Sequence, residues 1–358
     1  AFNIPQREIA TAVQTINAKD FEGLQVGSID EALQGRVAGL DIVSNSGDPG
    51  SGSSMRIRGT SSINASSEPL IVVNGVPYTV DVDESFDFAN SNEEQYANML
   101  SINPDDILSI TVLKDAASTA IWGTKGANGV LMIETKKGSL GPTKVQYTYR
   151  LTRAVQPKGL NMLNGDDYTM MMKQALFNSR QDESKSNVVE LSYDPKYSEY
   201  ENFNNNTDWV KEVTRVGYTH DHNLTVFGGG ERARFRVSSG FLDQKGTLLG
   251  TGFKRLTSRA NMDYSVSTRL RVEAEFSFVY SDTDKSYGNF QDGRYKNYNV
   301  LGMAYVKMPN VSVFEQDDFG NNTDKYYVIP RTSTLHADQR DLVNPVALAN
   351  LHTNNSKN

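Results

Sequence analysis

The sequence predicts a small α+β domain over residues 1–138, followed over 139–358 by the first antiparallel strands of a transmembrane β-barrel. Three observations lead there. Near residue 140 the chain changes from short strands and helices to long alternating strands. Those strands put apolar residues on one face and charged residues on the other. Their links alternate between short and long, as in barrels with tight turns at one end and long loops at the other.

Bulk properties narrow the function classes. A chain of 358 residues suggests about two domains. The net charge is −7 and the isoelectric point near 5.3, whereas a nucleic-acid binder is normally basic, so no nucleic-acid partner is expected. There is no cysteine, hence no disulfide framework and no thiolate site. Mean hydropathy is −0.50, and no apolar run approaches the roughly 18 residues of a membrane helix. Barrel strands escape that test because their polar and apolar residues alternate. Ala1 opens the chain without a charged segment and apolar core, so any signal peptide is expected to be removed already or to lie outside this sequence.

The first domain is built from short elements. ATAVQTINAKDF (10–21) reads as a strand. Ser28 and Asp30 offer caps for a helix over Glu31–Val37, stopped by Gly39. GLDIVSN (39–45) and MRIRG (55–59) read as strands around the soft loop SGDPGSGSS. LIVVNGVPY (70–78) holds Asn74-Gly75, a strong hairpin-turn signal. The acidic, aromatic loop 79–96 follows. Asn103-Pro104-Asp105-Asp106 turns into the strand ILSITVLK (107–114). Asp115 caps the helix AASTAIW, Gly123 ends it, and GVLMIETKK (129–137) is a strand.

The second part has a different rhythm. In TRLRVEAEFSFVYS (268–281), Leu270, Val272, Ala274, Phe276, Phe278 and Tyr280 share one face. Arg271, Glu273, Glu275, Ser277 and Ser281 share the other, with Val279 the exception. KVQYTYRL (144–151), ERARFRVSSGF (231–241) and KRLTSRANMDYSV (254–266) alternate in the same way. Apolar-out and polar-in over roughly 10 residues is the barrel pattern. Gly228-Gly229-Gly230 makes one short link and about two residues near 267 another, whereas 155–214, 243–252 and 282–358 are longer. Five strands leave two open edges that cannot face lipid, and a barrel enclosing such a domain needs about 22 strands. The chain is therefore expected to be the N-terminal part of a longer protein.

The chain resembles the SusC/RagA type of TonB-dependent outer-membrane transporter found in Bacteroidetes. The motifs that carry the resemblance are IDEALQGRVAGLDIVSNSGDPGSGSSMRIRGTSSIN (29–64), EPLIVVNGVPY (68–78) and NPDDILSITVLKDAASTAIWGTKGANGVLMIETKKG (103–138). It implies a globular plug filling a 22-stranded barrel in the outer membrane of a Gram-negative bacterium. It implies a SusD-like lipoprotein as a lid, and energy from the TonB complex acting through a segment that would lie before Ala1. It implies import of oligosaccharides, with no chemistry and no cofactor. Oligopeptide import and a non-transporting surface glycan-binding protein are the alternatives.

Candidate residues follow. Gly123, Gly126 and Gly129 could suggest a phosphate loop, but they follow their helix, whereas phosphate binds at a helix N-terminus. A helix stop at Gly123 and a tight return with positive φ at Gly126 and Gly129 is the expected role. Arg56 and Arg58, before Gly59, are expected to form plug–barrel ion pairs. Asp81, Asp83, Glu84 and Asp87 could hold Ca²⁺ but lack the glycine and terminal glutamate of an EF-hand, and no metal is expected. Phe86 and Phe88 could stack on sugar rings while the neighbouring carboxylates accept hydroxyl hydrogen bonds. Ser62 and Asn64 in TSSINASSE form a second candidate contact. His220 and His222 share a strand face without a third metal ligand. Met170, Met171, Met172 and Leu176 suggest an amphipathic helix capped at Asp166/Asp167.

Overall fold

A computed structural model gives the architecture and describes residues 13–20, 29–44, 47–50, 53–57, 69–78, 102–180, 188–285, 299–335, 337–351 and 355–357. The first part contains β1 (Val13–Asn17), α1 (Ile29–Leu33), β2 (Asp41–Ser44), β3 (Ser53–Arg56), β4 (Leu70–Val73), β5 (Val76–Tyr78), β6 (Ile107–Leu113), α2 (Ala116–Thr119) and β7 (Val130–Thr135). Five of the strands form one sheet in the order β1-β6-β7-β4-β5, with β4 and β7 parallel. Strands β2 and β3 pair separately. One core joins the two sheets, with Ile29, Leu33, Ile110, Leu131 and Ile133 fully buried. The apolar runs LIVV, ILSITVL and VLMI place Ile71, Val73, Ile107, Ile110, Val112 and Ile133 there, while Val72 and Val130 pack with Leu113 in a smaller cluster.

Glycines set the turns. Asn74 (φ 50°) and Gly75 (φ 85°) form the expected hairpin turn between β4 and β5. Gly123 leaves the helical region (φ 58°, ψ −142°), so α2 ends before it and a tighter turn runs on to Gly126. Gly126 does not have the expected positive φ. Its role is close approach, because a Cβ there would lie 2.9 Å from the Thr119 carbonyl oxygen. Gly129 does adopt positive φ (97°), and a Cβ there would lie 2.8 Å from Ile57 Cδ1. The helix expected over Glu31–Val37 is shorter and earlier. It ends at Leu33 because Gly35 (φ 71°) breaks it two residues on.

The second part begins with β8 (Gly141–Ala154). A long link carrying α3 (Gly165–Arg180), α4 (Tyr200–Phe203) and α5 (Trp209–Val213) leads to β9 (Gly217–Gly229), β10 (Ala233–Lys245), β11 (Gly252–Ser265) and β12 (Arg271–Asp284). The segment after β12 holds α6 (Val300–Val306), the hairpin β13 (Phe314–Gln316) with β14 (Asn322–Tyr326), α7 (Ala337–Arg340), α8 (Pro345–Leu351) and β15 (Asn355–Lys357). The sheet runs β15-β12-β11-β10-β9-β8, every neighbouring pair antiparallel. The links are unequal as expected at β8–β9 (155–216) and β9–β10 (230–232). The β11–β12 link (266–270) is longer than expected, nearly matching the β10–β11 link (246–251).

This sheet is inside out. Val145 is 69 % exposed and Phe276 63 %, while Ser238 is 5 % and Arg259 8 %. Its apolar face points away from the protein, and the first part of the chain covers its polar face over β9 to β11. A water-soluble sandwich buries the opposite face.

The two long links build a second core that the sequence did not reveal. Trp209, Val213, Val300, Met303, Met308, Tyr327 and Val346 are all buried in it. Trp209 donates its indole N–H to the Met308 carbonyl (2.9 Å). Helix α3 is capped by Asn164, whose side chain accepts from the Asp167 amide (2.8 Å), instead of by the expected Asp166/Asp167. Met172 and Leu176 pack on this core, whereas Met170 and Met171 are exposed.

The crowding at Gly129 gives a test of the first core. Gly129→Ala is expected to destabilise it by about 1–3 kcal/mol, through unfavourable φ and overlap with Ile57. In the complete protein, protease cleavage within residues 1–138 then begins at lower urea concentration than in the wild type.

Candidate functional site

The functional geometry lies in the seam between the first sheet and the polar face of the barrel sheet. Asn103 starts it. Its side chain accepts from the Asp105 amide (3.0 Å), and Pro104 fixes the next φ, so residues 104–106 form one 3₁₀ turn. That turn sends two consecutive carboxylates to different strands. Asp106, 5 % exposed, accepts from Ser238 Oγ (2.7 Å) and from the Arg236 guanidinium (3.3 Å), both on β10. Asp105 takes both ends of the Arg150 guanidinium on β8 (2.8 and 3.1 Å). Arg150 also binds Asp221 on β9 (2.7 and 3.0 Å), so two carboxylates share one cation. Asn103 donates to Asn223, which in turn donates to Asp221 (2.9 Å).

A second set of contacts flanks this one. Asn74 at the hairpin tip donates to Glu275 on β12 (2.7 Å) and to Thr135 (2.8 Å). Glu275 also accepts from Arg259 on β11 (2.6 Å). Lys137 pairs with Glu273 (3.0 Å), both half exposed. A small polar cavity of about 170 Å³ lies here, lined by Asn74, Lys137, Arg234, Asn261, Asp263 and Glu273 among others. Glycine is required in the wall. A Cβ at Gly240 would lie 2.5 Å from Asn103 Nδ2, and one at Gly138 would lie 2.5 Å from the Phe235 backbone nitrogen. Nearer the long links, a Cβ at Gly50 would lie 2.4 Å from the Phe253 ring, and one at Gly246 would lie 2.9 Å from Pro49.

Of the sequence-predicted residues, Asn74 and Gly75 fall in this seam's hairpin. Gly123, Gly126 and Gly129 shape the turn that leads into β7. Arg56 is exposed on β3, and among the described residues it makes no ion pair. It lies on the separate β2–β3 hairpin, where its register partner is Asp41, whereas the β6 and β7 ends face the wall. Arg58, Gly59, Ser62, Asn64, Asp81, Asp83, Glu84, Phe86, Asp87 and Phe88 lie outside the described residues. The seam residues Asp105, Asp106, Arg150 and Arg236 were missed as a constellation. Their signal was two adjacent acids in the NPDD turn and arginines on the polar strand faces.

His220 and His222 face outward. Tyr149 and Tyr147 hydrogen-bond their Nδ1 atoms at 2.9 and 2.7 Å. With Phe241, near His222, they make an aromatic band on the apolar face. Among the described residues no group of three histidines or carboxylates could hold a metal.

The link core has its own chemistry. Glu190 accepts from Ser333 (2.6 Å) and from both the amide and the hydroxyl of Thr334 (2.8 and 2.6 Å). Burial works against its charge, but these bonds hold its carboxyl below the usual range. Lys307 is buried at the end of α6 and donates to the Leu342 carbonyl (2.7 Å). Burial lowers its pKa to about 8. Beside it, a cavity of about 800 Å³ opens between residues 156–164, α5 and α6.

Two predictions follow from these pairs. Asp106→Ala leaves Arg236 buried without its carboxylate and is expected to cost about 3 kcal/mol, whereas Lys137→Ala, at an exposed pair, costs less than about 1 kcal/mol. Protease release of the first sheet from the purified complete protein measures both. Lys307 gives a pH effect. The unfolded chain holds its lysine proton up to about 10.5, and the folded chain releases it near 8. The folded state therefore binds fewer protons in that window, and stability rises with pH there. Burial and nearby carboxylates push the Tyr197 and Tyr327 hydroxyls up, an effect of opposite sign above about pH 10. Between pH 8 and 10, unfolding of the link core should shift upward by on the order of 2 kcal/mol, and Lys307→Met should abolish the slope.

Comparison with known proteins gives the family. Residues 5–130 match the TonB-dependent Receptor Plug Domain. Over 80 % of this chain the sequence is 31 % identical to TonB-dependent receptor SusC of Bacteroides thetaiotaomicron, covering 26 % of that protein. It is 27 % identical to TonB-dependent receptor P3 of Formosa agariphila over 97 % of this chain and 29 % of that protein. The RagAB peptide importer in its closed-closed state superposes with a TM-score of 0.69 at 26 % identity, over 89 % of this chain and 35 % of that one. Its open-open state gives 0.68 at 27 % identity, over 91 % of this chain and 36 % of that one. The chain thus spans between 26 % and 31 % of the length of the curated relatives it matches. It belongs to the SusC/RagA-type TonB-dependent transporters, of which it holds the receptor plug and adjoining antiparallel barrel strands.

Proposed function

We propose that the complete protein imports oligosaccharides, the breakdown products of glycans, across the outer membrane of a Gram-negative bacterium. The plug comprises residues 1–138 and the barrel starts at 139. A SusD-like lipoprotein covers the long-link side and delivers the ligand, and the TonB complex supplies the force. The observation that carries this reading is the inside-out sheet with a polar plug latched to its inner face. An apolar outer face fits lipid, and a polar seam can part into water without exposing greasy surface. No bond in the solute is made or broken, so no catalytic residue is required. What the chain's own residues do is hold and release. Asp105 and Asp106 fix the plug against β8, β9 and β10, and displacement of the plug frees a path along the wall.

The acidic, aromatic loop 79–96 supports a sugar ligand, since Phe86 and Phe88 offer stacking faces beside hydroxyl acceptors. One observation favours a second reading. Two solved structures similar to this chain are of a peptide importer, and a seam and wall rich in arginine and glutamate would also suit oligopeptides.

Calorimetry on the complete protein with its lipoprotein partner, in detergent, separates the two. Oligosaccharides are expected to bind, and replacing residues 81–88 by Gly/Ser is expected to abolish binding. Binding of oligopeptides alone would transfer the proposal to peptide import and remove the stacking role from Phe86 and Phe88.

A further inference from the structure

The outward face of the barrel sheet changes character in consecutive rows. Tyr149, His222 and Phe241 are cross-strand neighbours in an aromatic row. One step toward the long links come Leu151, His220, Asp243 and Lys254. One step further Tyr218 is flanked in register by Arg153 on β8 and Lys245 on β10. All three of these residues are exposed on the outward face, and neither Arg153 nor Lys245 forms an ion pair with a described residue. In the lower row, by contrast, the cation is compensated, because Lys254 stands in register between Asp243 and Asp282. Two exposed cations with no ion pair among the described residues therefore bracket a phenol hydroxyl, one mixed row beyond the aromatic surface.

We propose that the Arg153–Tyr218–Lys245 row binds the phosphate of a phosphorylated lipid in the outer leaflet. The proposal rests on the membrane reading given above and adds a specific lipid contact to it. Phosphate is matched by a guanidinium fork, an ammonium and a hydroxyl donor. A lipid is favoured over free phosphate by the rows beneath. Acyl chains of the same molecule would lie against Leu151, Tyr149 and Phe241, which continue from the cations toward the middle of the sheet. The aromatic row marks the depth at which headgroups begin. The site also anchors β8 to β10, the strands that hold the plug through Arg150, Asp221 and Arg236.

Native mass spectrometry of the complete protein with its lipoprotein partner, extracted from outer membranes in mild detergent, tests this. The wild type is expected to carry an adduct with the mass of a phosphorylated lipid. In Arg153→Gln/Lys245→Gln its occupancy is expected to fall to about a tenth. The charge-matched control Lys196→Gln/Lys325→Gln, on the link core, is expected to keep it, as is the conservative variant Arg153→Lys. Equal occupancy in both double variants, an adduct with the mass of inorganic phosphate, or no adduct on the wild type would overturn the proposal. Membrane fractionation of the same samples keeps the two readings apart. Wild-type protein found in the soluble fraction would overturn the membrane reading itself, whereas membrane-inserted protein without lipid overturns the lipid site alone.

Discussion

Two adjacent carboxylates on one short turn organise the relation between plug and wall. Asp105 and Asp106 leave the turn toward Arg150 and Arg236 on separate strands, and Asp221 and Ser238 complete the two ends. The constraint behind this arrangement is the inverted sheet. With its apolar residues turned outward, its inner face offers only arginines, carboxylates, amides and hydroxyls. Anything held there must match them group for group, because a buried charge without a partner costs several kcal/mol. The plug meets that demand with the ends of β4, β6 and β7, the part of its sheet closest to the wall.

The same constraint makes the attachment releasable. Apolar packing of comparable area would hold the plug by a force that water cannot replace. Ion pairs and amide contacts can exchange to water, and a small polar cavity lies beside Asn74 and Lys137. The glycines show how closely the parts fit. Gly240 makes room for the Asn103–Asn223 contact, and Gly138 lets the chain pass over β10 as it leaves the plug. At the other end of the wall, the short link 246–251 touches the plug at Pro49 and the link core at Ala349, where a Cβ on Gly250 would lie 2.3 Å from the carbonyl oxygen. The link core and the plug therefore share one small piece of the sheet.

Much of this fold was legible in the sequence, and the residues show why. Period-two alternation identified β8 to β12 because every second side chain is apolar and turned outward, and the Asn74-Gly75 turn identified its hairpin because few dipeptides adopt two positive φ angles. The sequence pattern stops the helix over Glu31–Val37 at Gly39, whereas Gly35 already takes the left-handed conformation that ends it. The link core was invisible because its residues come from 188–213 and 300–349, and no local period connects Trp209 with Met308. The seam was half legible. Its arginines showed on the polar strand faces, but which plug residues meet them depends on tertiary placement, and within this chain Asp105 and Asp106 do the pairing.

The measurement that tests the inverted sheet most directly is a nitroxide scan along β12 in the complete protein, in lipid bilayers. Single labels at positions 272–280 would be read for accessibility to oxygen and to a water-soluble nickel chelate. The structure requires a period of two, with oxygen contact high at Val272, Ala274, Phe276, Phe278 and Tyr280 and low at Glu273, Glu275 and Ser277. Uniform access to the chelate along the strand, or the opposite phase, would contradict the outward apolar face and with it the polar seam on which the plug is held.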